Sequence, residues 1–469
     1  MRVNETIATR TEHDTLGPME VPADSLYGAQ TARAVENFPI SGWVLPGSFV
    51  RALAAIKVAF ARAHGRLGLL PEEHATIIAI CAAEIAAGEH LDNFPVDVFQ
   101  TGSGTSTNMN MNEVVAHLAN LRLGGDPAER RPVHPNDHVN LGQSSNDVIP
   151  AALRIASWRA WDERLQPALR LVADELQRLA DSHRSTVTLG RTHLMDAVPT
   201  TYGRIFDQWV RRLNKATGRV EATANELREL PLGGTAVGTG FGANREAVEL
   251  ALGVLSEETG IDFSAAPNPA SHIAAQDPVI SHADSLAGSA RVLLTIANDL
   301  RLRGSGPFGG LGELSLPAVQ PGSSIMPGKV NPVIPEAVAQ AAIQVEGLAS
   351  ACRATAFLHQ LDLSHSNPLL AWNLDVMNTL VANSATVLST RCLSDLTVNR
   401  KRAMAHAEAS PALATALAGR IGYDAASEVA KAAERDGQPV SVAARSRELM
   451  SAEELDGLLD VNRIAGVDE

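Results

Sequence analysis

Cysteine, aromatic residues and positive charge are all scarce in this chain of 469 residues. Its three cysteines, Cys81, Cys352 and Cys392, form no Cys-x-x-Cys pair, which excludes a disulfide framework and favours a reducing cytoplasm. Lysine and arginine number 39 against 53 aspartates and glutamates, and the resulting charge of −14 argues against a nucleic-acid partner. No apolar run is long enough to span a bilayer, and the N-terminus lacks the apolar centre of a secretory signal. We therefore expect a cytoplasmic chain without a membrane partner.

Aromatic residues make up only 4% of the chain, whereas alanine is abundant, and this composition favours closely packed helices over a β-rich core. Apolar residues recur at steps of three and four in six stretches, several of them longer than 20 residues. These stretches cover residues 49–67, 165–179, 205–227, 279–300, 338–349 and 374–388. No alternation of strands and helices is visible. The sequence predicts a mainly α-helical fold with a central bundle of long helices.

The length suggests about three domains at roughly 150 residues each. We predict an N-terminal domain at 1–142, a central long-helix domain at 143–394 and a small C-terminal domain at 395–469. Segments rich in Gly, Ser, Thr, Asn and Pro separate the apolar stretches, at 101–112, 134–147, 190–201, 232–244, 266–277 and 304–335. Because loops at the ends of rigid helices commonly carry function, we expect the chemistry in these segments.

The segment Gln320–Pro332 has the densest set of functional groups, with two adjacent serines, one lysine and one asparagine. A phosphate-binding loop is excluded because five residues separate its flanking glycines and a valine follows the lysine. An ordered turn with a solvated lysine is the alternative to a functional loop. Elsewhere, His134 and His138 have a spacing that suits a metal on a helix, but Pro135 disfavours a helix there, Asn136 and Asp137 predict a turn, and we expect no metal.

Five segments resemble, in the same order, the conserved regions of the fumarase/aspartase superfamily. They are Gly102–Asn110, His134–Asp147, Gly190–Pro199, Leu232–Gly240 and Gly322–Pro332. The resemblance extends from near residue 10 to the C-terminus. Within the superfamily, His193 and the Leu232–Gly240 segment are similar to the fumarases, since aspartases usually carry glutamine at the position of His193.

This resemblance implies a homotetramer in which the long helices form one large bundle and each active site is built from three subunits. It also implies no metal and no organic cofactor. The implied reaction is the reversible anti addition of water to fumarate, which gives L-malate and is a step of the citric acid cycle. The expected partner is thus a small dicarboxylate, with neither nucleic acid nor a membrane involved.

The resemblance also assigns roles to individual residues. Ser323 would be the base at carbon, and Lys329 would stabilise charge that develops on the carboxylate. His193 would act on the water or hydroxyl side, with Glu336 orienting or charging its imidazole. The implied substrate-binding positions are Ser103, Gly104, Thr105, Ser144, Ser145, Asn146, Thr192, Ser324, Lys329, Val330 and Asn331. A second dicarboxylate site is implied at Arg131, His134, Pro135, Asn136 and Asp137.

The chemistry of this reaction independently requires groups of the kind that the resemblance assigns. Removing a proton next to a carboxylate builds charge on that carboxylate, so donors and a cation must surround its oxygens. A serine with an ordinary pKa is a poor base, and it needs hydrogen-bond donors or a nearby cation that favour its alkoxide. We expect Lys329 and the backbone of its loop to supply these groups.

Three segments depart from the fumarase pattern, namely Asp362–His365, Asn268–Ser271 and Tyr202–Ile205. None of them removes a proposed catalytic group, but each bears on the shape of the pocket. Two alternatives therefore stay open. One is another lyase of the superfamily that acts on a different substituted succinate, such as an aspartate ammonia-lyase or a specialised paralogue. The other is a non-catalytic scaffold, which the retention of Ser323, His193 and Lys329 disfavours.

Overall fold

The structure, a computed structural model, describes residues 8–467 and consists mainly of α-helices. The helices are α1 (Ala29–Asn37), α2 (Gly47–Arg66), α3 (Glu72–Ala87), α4 (Thr105–Arg122), α5 (Ser145–Ala160), α6 (Gln166–Ser182), α7 (Tyr202–Glu226), α8 (Arg245–Thr259), α9 (Pro269–Ala274), α10 (Asp277–Arg303), α11 (Val333–Ala354), α12 (Asn367–Leu388), α13 (Arg400–Ala409), α14 (Ala418–Ile421), α15 (Tyr423–Arg435), α16 (Val440–Arg445), α17 (Ala452–Leu458) and α18 (Val461–Ile464).

Strands are short and form only pairs within the described residues. The antiparallel pairs are β1 (Thr9–Asp14) with β2 (Gly17–Pro22), β3 (Val187–Thr192) with β4 (Met195–Thr201), β7 (Leu314–Ser315) with β10 (Thr397–Val398), and β8 (His359–Gln360) with β9 (Leu363–Ser364). The parallel pair is β5 (Glu229–Leu230) with β6 (Ser264–Ala265). The prediction of a mainly α-helical fold is confirmed.

The six predicted apolar stretches coincide with the long helices α2, α6, α7, α10, α11 and α12. Their repeating side chains form the core; Leu53, Ile56 and Phe60 of α2, for example, are buried. Burial of each such side chain contributes about 1.5–3 kcal/mol, so the amphipathic pattern is enough to fix which face of each helix points inward. No helix within residues 8–467 is long and apolar enough to cross a membrane.

Internal contacts divide the chain into two compact units, each assembled from three separate segments. The first unit combines the segments 1–165, 219–287 and 344–380, and the second combines 166–218, 288–343 and 381–469. Four of the five boundaries fall inside α7, α10, α11 and α12, so these helices contribute residues to both units, and the fifth lies at the start of α6. The predicted division along the chain at residues 142 and 395 stays a prediction.

In the first unit, α2 packs against α3, α5 and α8, and α4 packs against α1 and α3. In the second unit, the β3–β4 hairpin packs against α13, and the C-terminal helices surround a core that includes Leu417, Val429 and Val440. These packed helices are the rigid frame from which the polar loops project.

Three segments that were predicted as loops are more regular than expected. Helix α4 already begins at Thr105, within the polar segment 101–112, and its asparagines Asn108, Asn110 and Asn112 are buried. The segment 190–201 belongs to the β3–β4 hairpin. A helical turn forms at Pro135–Val139, so the expectation that Pro135 prevents one is wrong. Proline is tolerated at the first position of a helical turn because the N–H that it lacks has no partner there.

Candidate active site

The N-termini of helices α4 and α5 meet in the first unit and bring together hydroxyl groups predicted to bind substrate. Thr105 Oγ1 lies 2.9 Å from Ser103 Oγ and 2.7 Å from Ser145 Oγ. Gly104, which precedes α4, has a φ of +77° that suits glycine, and a side chain there would clash with Ile149. Since helix N-termini carry unpaired N–H groups and partial positive charge, two of them side by side form a favourable place for a carboxylate.

A capping box fixes the start of α5. Ser144 Oγ accepts a hydrogen bond from the N–H of Asn146, and the N–H of Ser144 donates to Asp147 Oδ1 at 3.0 Å. The second oxygen of Asp147 accepts the N–H of Thr235 at 2.8 Å, and Asn146 Nδ2 donates to the carbonyl of Ala236 at 2.9 Å. The loop 232–240, one of the five segments that resemble the superfamily, is therefore tied to the helix N-terminus that carries the predicted substrate-binding residues.

Two buried ionisable groups lie behind these helix N-termini. Burial raises the pKa of Asp147 to about 7, although the hydrogen bonds from Thr235 and Ser144 act to lower it. Burial also lowers the pKa of Lys57 to about 7, while the charge of Asp147 acts in the opposite direction. Buried charges are costly unless they are paired or hydrogen-bonded, and their presence marks this region as more than a packing core.

The loop 320–332, in the second unit, is closed on itself by hydrogen bonds around Gly322. The N–H of Gly322 donates to the carbonyl of Lys329 at 2.9 Å, and Asn331 Nδ2 donates to the carbonyl of Gly322 at 2.6 Å. A Cβ at Gly322 would overlap the Lys329 carbonyl, so only glycine fits this closure. One amide N–H of Asn331 is thus used inside the loop, while its role in substrate binding stays a prediction.

Ser323 sits in this loop as a hydrogen-bond acceptor. Its Oγ accepts the backbone N–H of Ile325 at 3.2 Å and that of Met326 at 3.0 Å. Donors directed at a hydroxyl oxygen favour its ionised form. The expectation that the loop backbone supplies such donors agrees with this geometry.

His193 occupies the tight turn of the β3–β4 hairpin and is exposed. Thr192 pairs with Met195, so His193 and Leu194 are the two central residues of the turn, with φ values of 56° and 63°. Positive φ at two successive residues is the geometry of a type I′ turn, which normally uses asparagine and glycine. Backbone strain at non-glycine residues persists only where the surroundings impose it, and it clusters at functional sites.

A buried carboxylate, Glu313, holds this hairpin to the rest of the second unit. Glu313 is 0% exposed, and the groups that hydrogen-bond to it are Thr188 Oγ1 (3.0 Å), Tyr202 OH (2.7 Å), Arg191 Nη2 (2.6 Å) and His406 Nδ1 (2.6 Å). Burial raises the pKa of Glu313, but the bonds from Arg191, His406 and Tyr202 outweigh burial, and the pKa lies below its ordinary value. Arg191, two residues before His193, therefore serves to anchor the hairpin.

The predicted second dicarboxylate site lies on the helical turn Pro135–Val139 in the first unit. His134 caps this turn, since its Nδ1 accepts the N–H groups of Asn136 and Asp137, each at 3.2 Å. His138 Nδ1 accepts the N–H of His134 at 2.8 Å. The Nδ1 atom of each histidine is therefore engaged with backbone, whereas Arg131, Asn136 and Asp137 are exposed.

The remaining predicted residues lie in the second unit and are solvent-accessible. Ser324, Lys329 and Val330 are exposed in the loop, and Glu336 is half-buried in the first turn of α11. In the described part of the chain neither His193 nor Glu336 makes a side-chain hydrogen bond or ion pair. Within the described chain this predicted pair is therefore neither hydrogen-bonded nor ion-paired.

Among the histidine, cysteine and carboxylate side chains of residues 8–467, one group has ligand atoms close enough together to share a metal ion, namely Glu84, Glu89 and His90. Glu84 already pairs with Arg122 at 2.6 Å, and the group includes none of the predicted site residues.

The three departures from the family pattern occupy defined places. The backbone of His365 lies so close to Gly102 that a side chain at position 102 would overlap the carbonyl of His365. The N–H of Asn367 donates to the carbonyl of Gly102 at 3.1 Å. Tyr202 contributes its hydroxyl to Glu313, and Asn268 caps helix α9. The first departure therefore adjoins the loop that leads into α4.

Sequence reasoning missed Lys57 and Glu313. The signal for Lys57 was present, because a single lysine between Ile56 and Val58 in an apolar helix is unusual. Glu313 lies in a glycine-rich segment with no periodicity, and its four hydrogen-bond donors come from residues far apart in the chain. Only the tertiary structure reveals it.

Comparisons with known proteins agree with this geometry. A family model described as "Lyase" matches residues 17–347, and one described as "Fumarase C C-terminus" matches residues 413–466. The chain is 45% identical to a class II fumarate hydratase of Xylella fastidiosa over 98% of this chain and 96% of the relative. It is 49% identical to a class II fumarate hydratase of Halobacterium salinarum over 96% of each chain.

Among solved structures, recombinant class II fumarase from Schistosoma mansoni superposes with a TM-score of 0.95 at 32% identity. That superposition covers 98% of this chain and all of the other. Similarity of sequence and of fold thus extends over nearly the full length. The chain belongs to the class II fumarate hydratase family.

Proposed function

We propose that this chain catalyses the reversible anti hydration of fumarate to L-malate, a step of the citric acid cycle. The observation that carries the proposal is the state of Ser323, whose Oγ accepts two backbone N–H bonds in a self-closed loop. The relatives that match nearly the whole chain bear the name of this activity. The residues that the reaction needs are all present.

The N-termini of α4 and α5 bind one carboxylate of the substrate in this proposal. Thr105, Ser145 and Asn146 supply hydroxyl and amide groups, and the two helix dipoles favour the negative charge. In the proposed assembly of several subunits, Lys329 and its loop bind the other carboxylate, on which charge develops. Donors that are fixed in advance stabilise that charge without reorganising during the reaction.

In the direction from malate, the Ser323 alkoxide removes the proton from the carbon next to a carboxylate. The electron pair moves onto that carboxylate and gives a dianionic aci-carboxylate. The electrons then return to form the double bond, and the hydroxyl on the neighbouring carbon leaves with a proton from His193. The products are fumarate and water, with one proton on Ser323 and His193 neutral.

Glu336 orients or charges the imidazole of His193 in this mechanism. Because these two side chains are unpaired in the described chain, the proposal includes a homotetramer whose active sites draw on three subunits. The three free and buried cysteines support a reducing cytoplasm as the compartment. The turn Arg131–Asp137 is proposed as a second dicarboxylate site, and the chain is proposed to consist of the domains 1–142, 143–394 and 395–469.

The test uses the purified full chain with L-malate, fumarate and L-aspartate, without added metal or nucleotide, and follows absorbance of the unsaturated product. We expect exchange between fumarate and L-malate. Turnover of L-aspartate alone would contradict hydration and favour an ammonia-lyase. Failure with all three substrates would favour the paralogue or scaffold alternatives.

Ser323→Ala tests the assignment of the base. We expect kcat to fall by about 10³-fold, since general-base catalysis contributes 10²–10⁴-fold, while the oligomer stays intact. Ser324→Ala is the matched control, because it removes a neighbouring exposed hydroxyl and should keep measurable turnover. A rate near that of the wild type in Ser323→Ala would refute the assignment.

A further inference from the structure

Lys57 is a buried ammonium group in the middle of helix α2. Lys57 is 1% exposed, and its neighbours along the helix are apolar and buried. Its Nζ donates to three side-chain amide oxygens, Asn108 Oδ1 at 2.9 Å, Asn140 Oδ1 at 3.0 Å and Gln143 Oε1 at 3.0 Å. Three acceptors match the three N–H groups of an ammonium ion, so the charged form satisfies all of them.

The three acceptors belong to two different segments that are also bonded to each other. Asn108 lies on α4, whereas Asn140 and Gln143 lie in the loop before α5. Asn108 Nδ2 donates to Asn140 Oδ1 at 3.1 Å, and Asn140 Nδ2 donates to the carbonyl of Gln143 at 3.1 Å. Lys57 is therefore the centre of a polar network that joins α2, α4 and the approach to α5.

This network controls the spacing of the proposed carboxylate site. Asn108 is three residues after Thr105, which is less than one helical turn, and Gln143 directly precedes Ser144, the N-cap of α5. Thr105 and Ser145 hydroxyls are 2.7 Å apart. Asn108 lies on the same helix as Thr105, and Gln143 is joined through the backbone to Ser144, so a movement of either residue would change that spacing.

The positive charge of Lys57 also favours a carboxylate at the N-termini of α4 and α5. Throughout residues 8–467 no carboxylate lies within ion-pair distance of its Nζ, which bonds to the three amide oxygens, and the charge of the buried Asp147 acts on it from beyond that distance. A buried cation behind two helix N-termini raises the positive potential at their ends, where the proposed substrate carboxylate binds. A lysine that served packing alone would be replaced at lower cost by an apolar side chain of similar length.

We infer that Lys57 is a positioning residue of the carboxylate-binding site. It holds the N-termini of α4 and α5 at the separation that the site requires. The inference rests on the proposed function for the identity of the substrate. Lys57 touches neither substrate nor reacting atoms, so its removal should weaken binding of the substrate more than the chemical step.

The test is Lys57→Met, which keeps the length of the side chain and removes its charge and its three donors. We expect KM for L-malate to rise about tenfold or more, and kcat to change by less than about threefold, because the lost contacts act equally on ground state and transition state. Calorimetric titration with succinate should show the same loss of affinity without any turnover.

Arg51→Met is the matched control, because Arg51 also lies on α2 and its Nε donates to the carbonyl of Ala86 on α3 at 2.9 Å. It should leave KM and succinate affinity unchanged. If Lys57→Met does not fold, Gln143→Ala removes one of the three acceptors and should shift KM in the same direction. A wild-type KM in these variants, or an equal shift in Arg51→Met, would overturn the inference.

The two proposals fail in different ways. If the wild type binds succinate but does not convert L-malate, the proposed function is wrong, and the succinate affinity of the variants still decides the role of Lys57. If the wild type converts L-malate and Lys57→Met has the same KM and succinate affinity, the role of Lys57 alone is refuted. Absence of succinate binding to the wild type would overturn the role of Lys57 as well.

Discussion

At the scale of single residues, Gly322 shows how one missing side chain makes the closure of the loop 320–332 possible. Its N–H and carbonyl both bond within the loop, to Lys329 and Asn331. A Cβ at this position would lie 2.8 Å from the backbone nitrogen of Asn331, a separation that real Cβ atoms essentially never show. The closed loop in turn directs the two N–H groups onto Ser323.

Gly322→Ala should therefore reduce activity without unfolding the chain. We expect kcat/KM to fall by about 10²-fold, because a displacement of about 1 Å at a catalytic group has effects of that size. Steady-state kinetics and thermal unfolding would be measured together. Gly309→Ala, at an exposed glycine with no heavy atom within 4 Å of the added carbon, is the control and should behave as wild type. Equal kinetics in the two variants would show that loop closure is not needed.

At the scale of elements, the β3–β4 hairpin carries strain at the turn that presents His193. Leu194, beside it, has a φ of 63° and is 77% exposed, so its side chain has no packing that would offset the cost. Left-handed backbone costs a non-glycine residue about 1–2 kcal/mol. The hydrogen bond from Arg191 of the hairpin to the buried Glu313 holds the hairpin in this shape.

Leu194→Gly should stabilise the chain by about 0.5–1 kcal/mol, because glycine adopts this conformation without steric cost and loses only some chain entropy. Met195→Gly is the control of opposite sign, since Met195 is equally exposed but begins strand β4. It should destabilise the chain by about 0.5–1 kcal/mol. Chemical denaturation measures both. A loss of stability in Leu194→Gly would mean that the turn is not strained.

At the scale of the molecule, Glu313 connects parts of the second unit that are more than 100 residues apart in sequence. Strand β3, helix α7 and helix α13 all direct donors at this one carboxylate. Its buried position would disfavour the charge, but the donors prevail and keep the pKa below the ordinary value of 4.5. The carboxylate therefore contributes to stability only while it is ionised.

The sign of the pH dependence follows from the lowered pKa. The contribution of Glu313 is fully present above pH 4.5 and is lost as the pH falls through the lower value of the folded state. Glu313→Gln should cost about 3 kcal/mol near neutral pH, since it leaves Arg191 without its charge partner. The difference in unfolding free energy from wild type should shrink as the pH is lowered below 4.5.

Denaturation of both proteins across this pH range provides the measurement. Glu175→Gln is a suitable comparison, because Glu175 pairs with Arg178 at the surface and such pairs contribute at most about 1 kcal/mol. A difference between Glu313→Gln and wild type that grew on acidification would contradict the lowered pKa.

The sequence by itself determined the helical fold and the family, and it predicted the chemistry of the site. Amphipathic periodicity fixes which residues of a long helix are buried, and this information is local, as the buried Leu53, Ile56 and Phe60 show. The serine, lysine and histidine motifs identify a family for the same reason, because each motif is a short contiguous segment. Those motifs predicted residue types and order, but no distances.

The tertiary structure alone decided how the site is held together. The 2.7 Å approach of Thr105 and Ser145, the three bonds of Lys57 and the donors around Glu313 join residues that are distant in the chain. The helix start inside segment 101–112 and the hairpin at 190–201 were not predicted, because buried asparagines and a turn without glycine give no local signal. Long-range packing outweighs local propensity at these positions, and the geometry of the site depends on it.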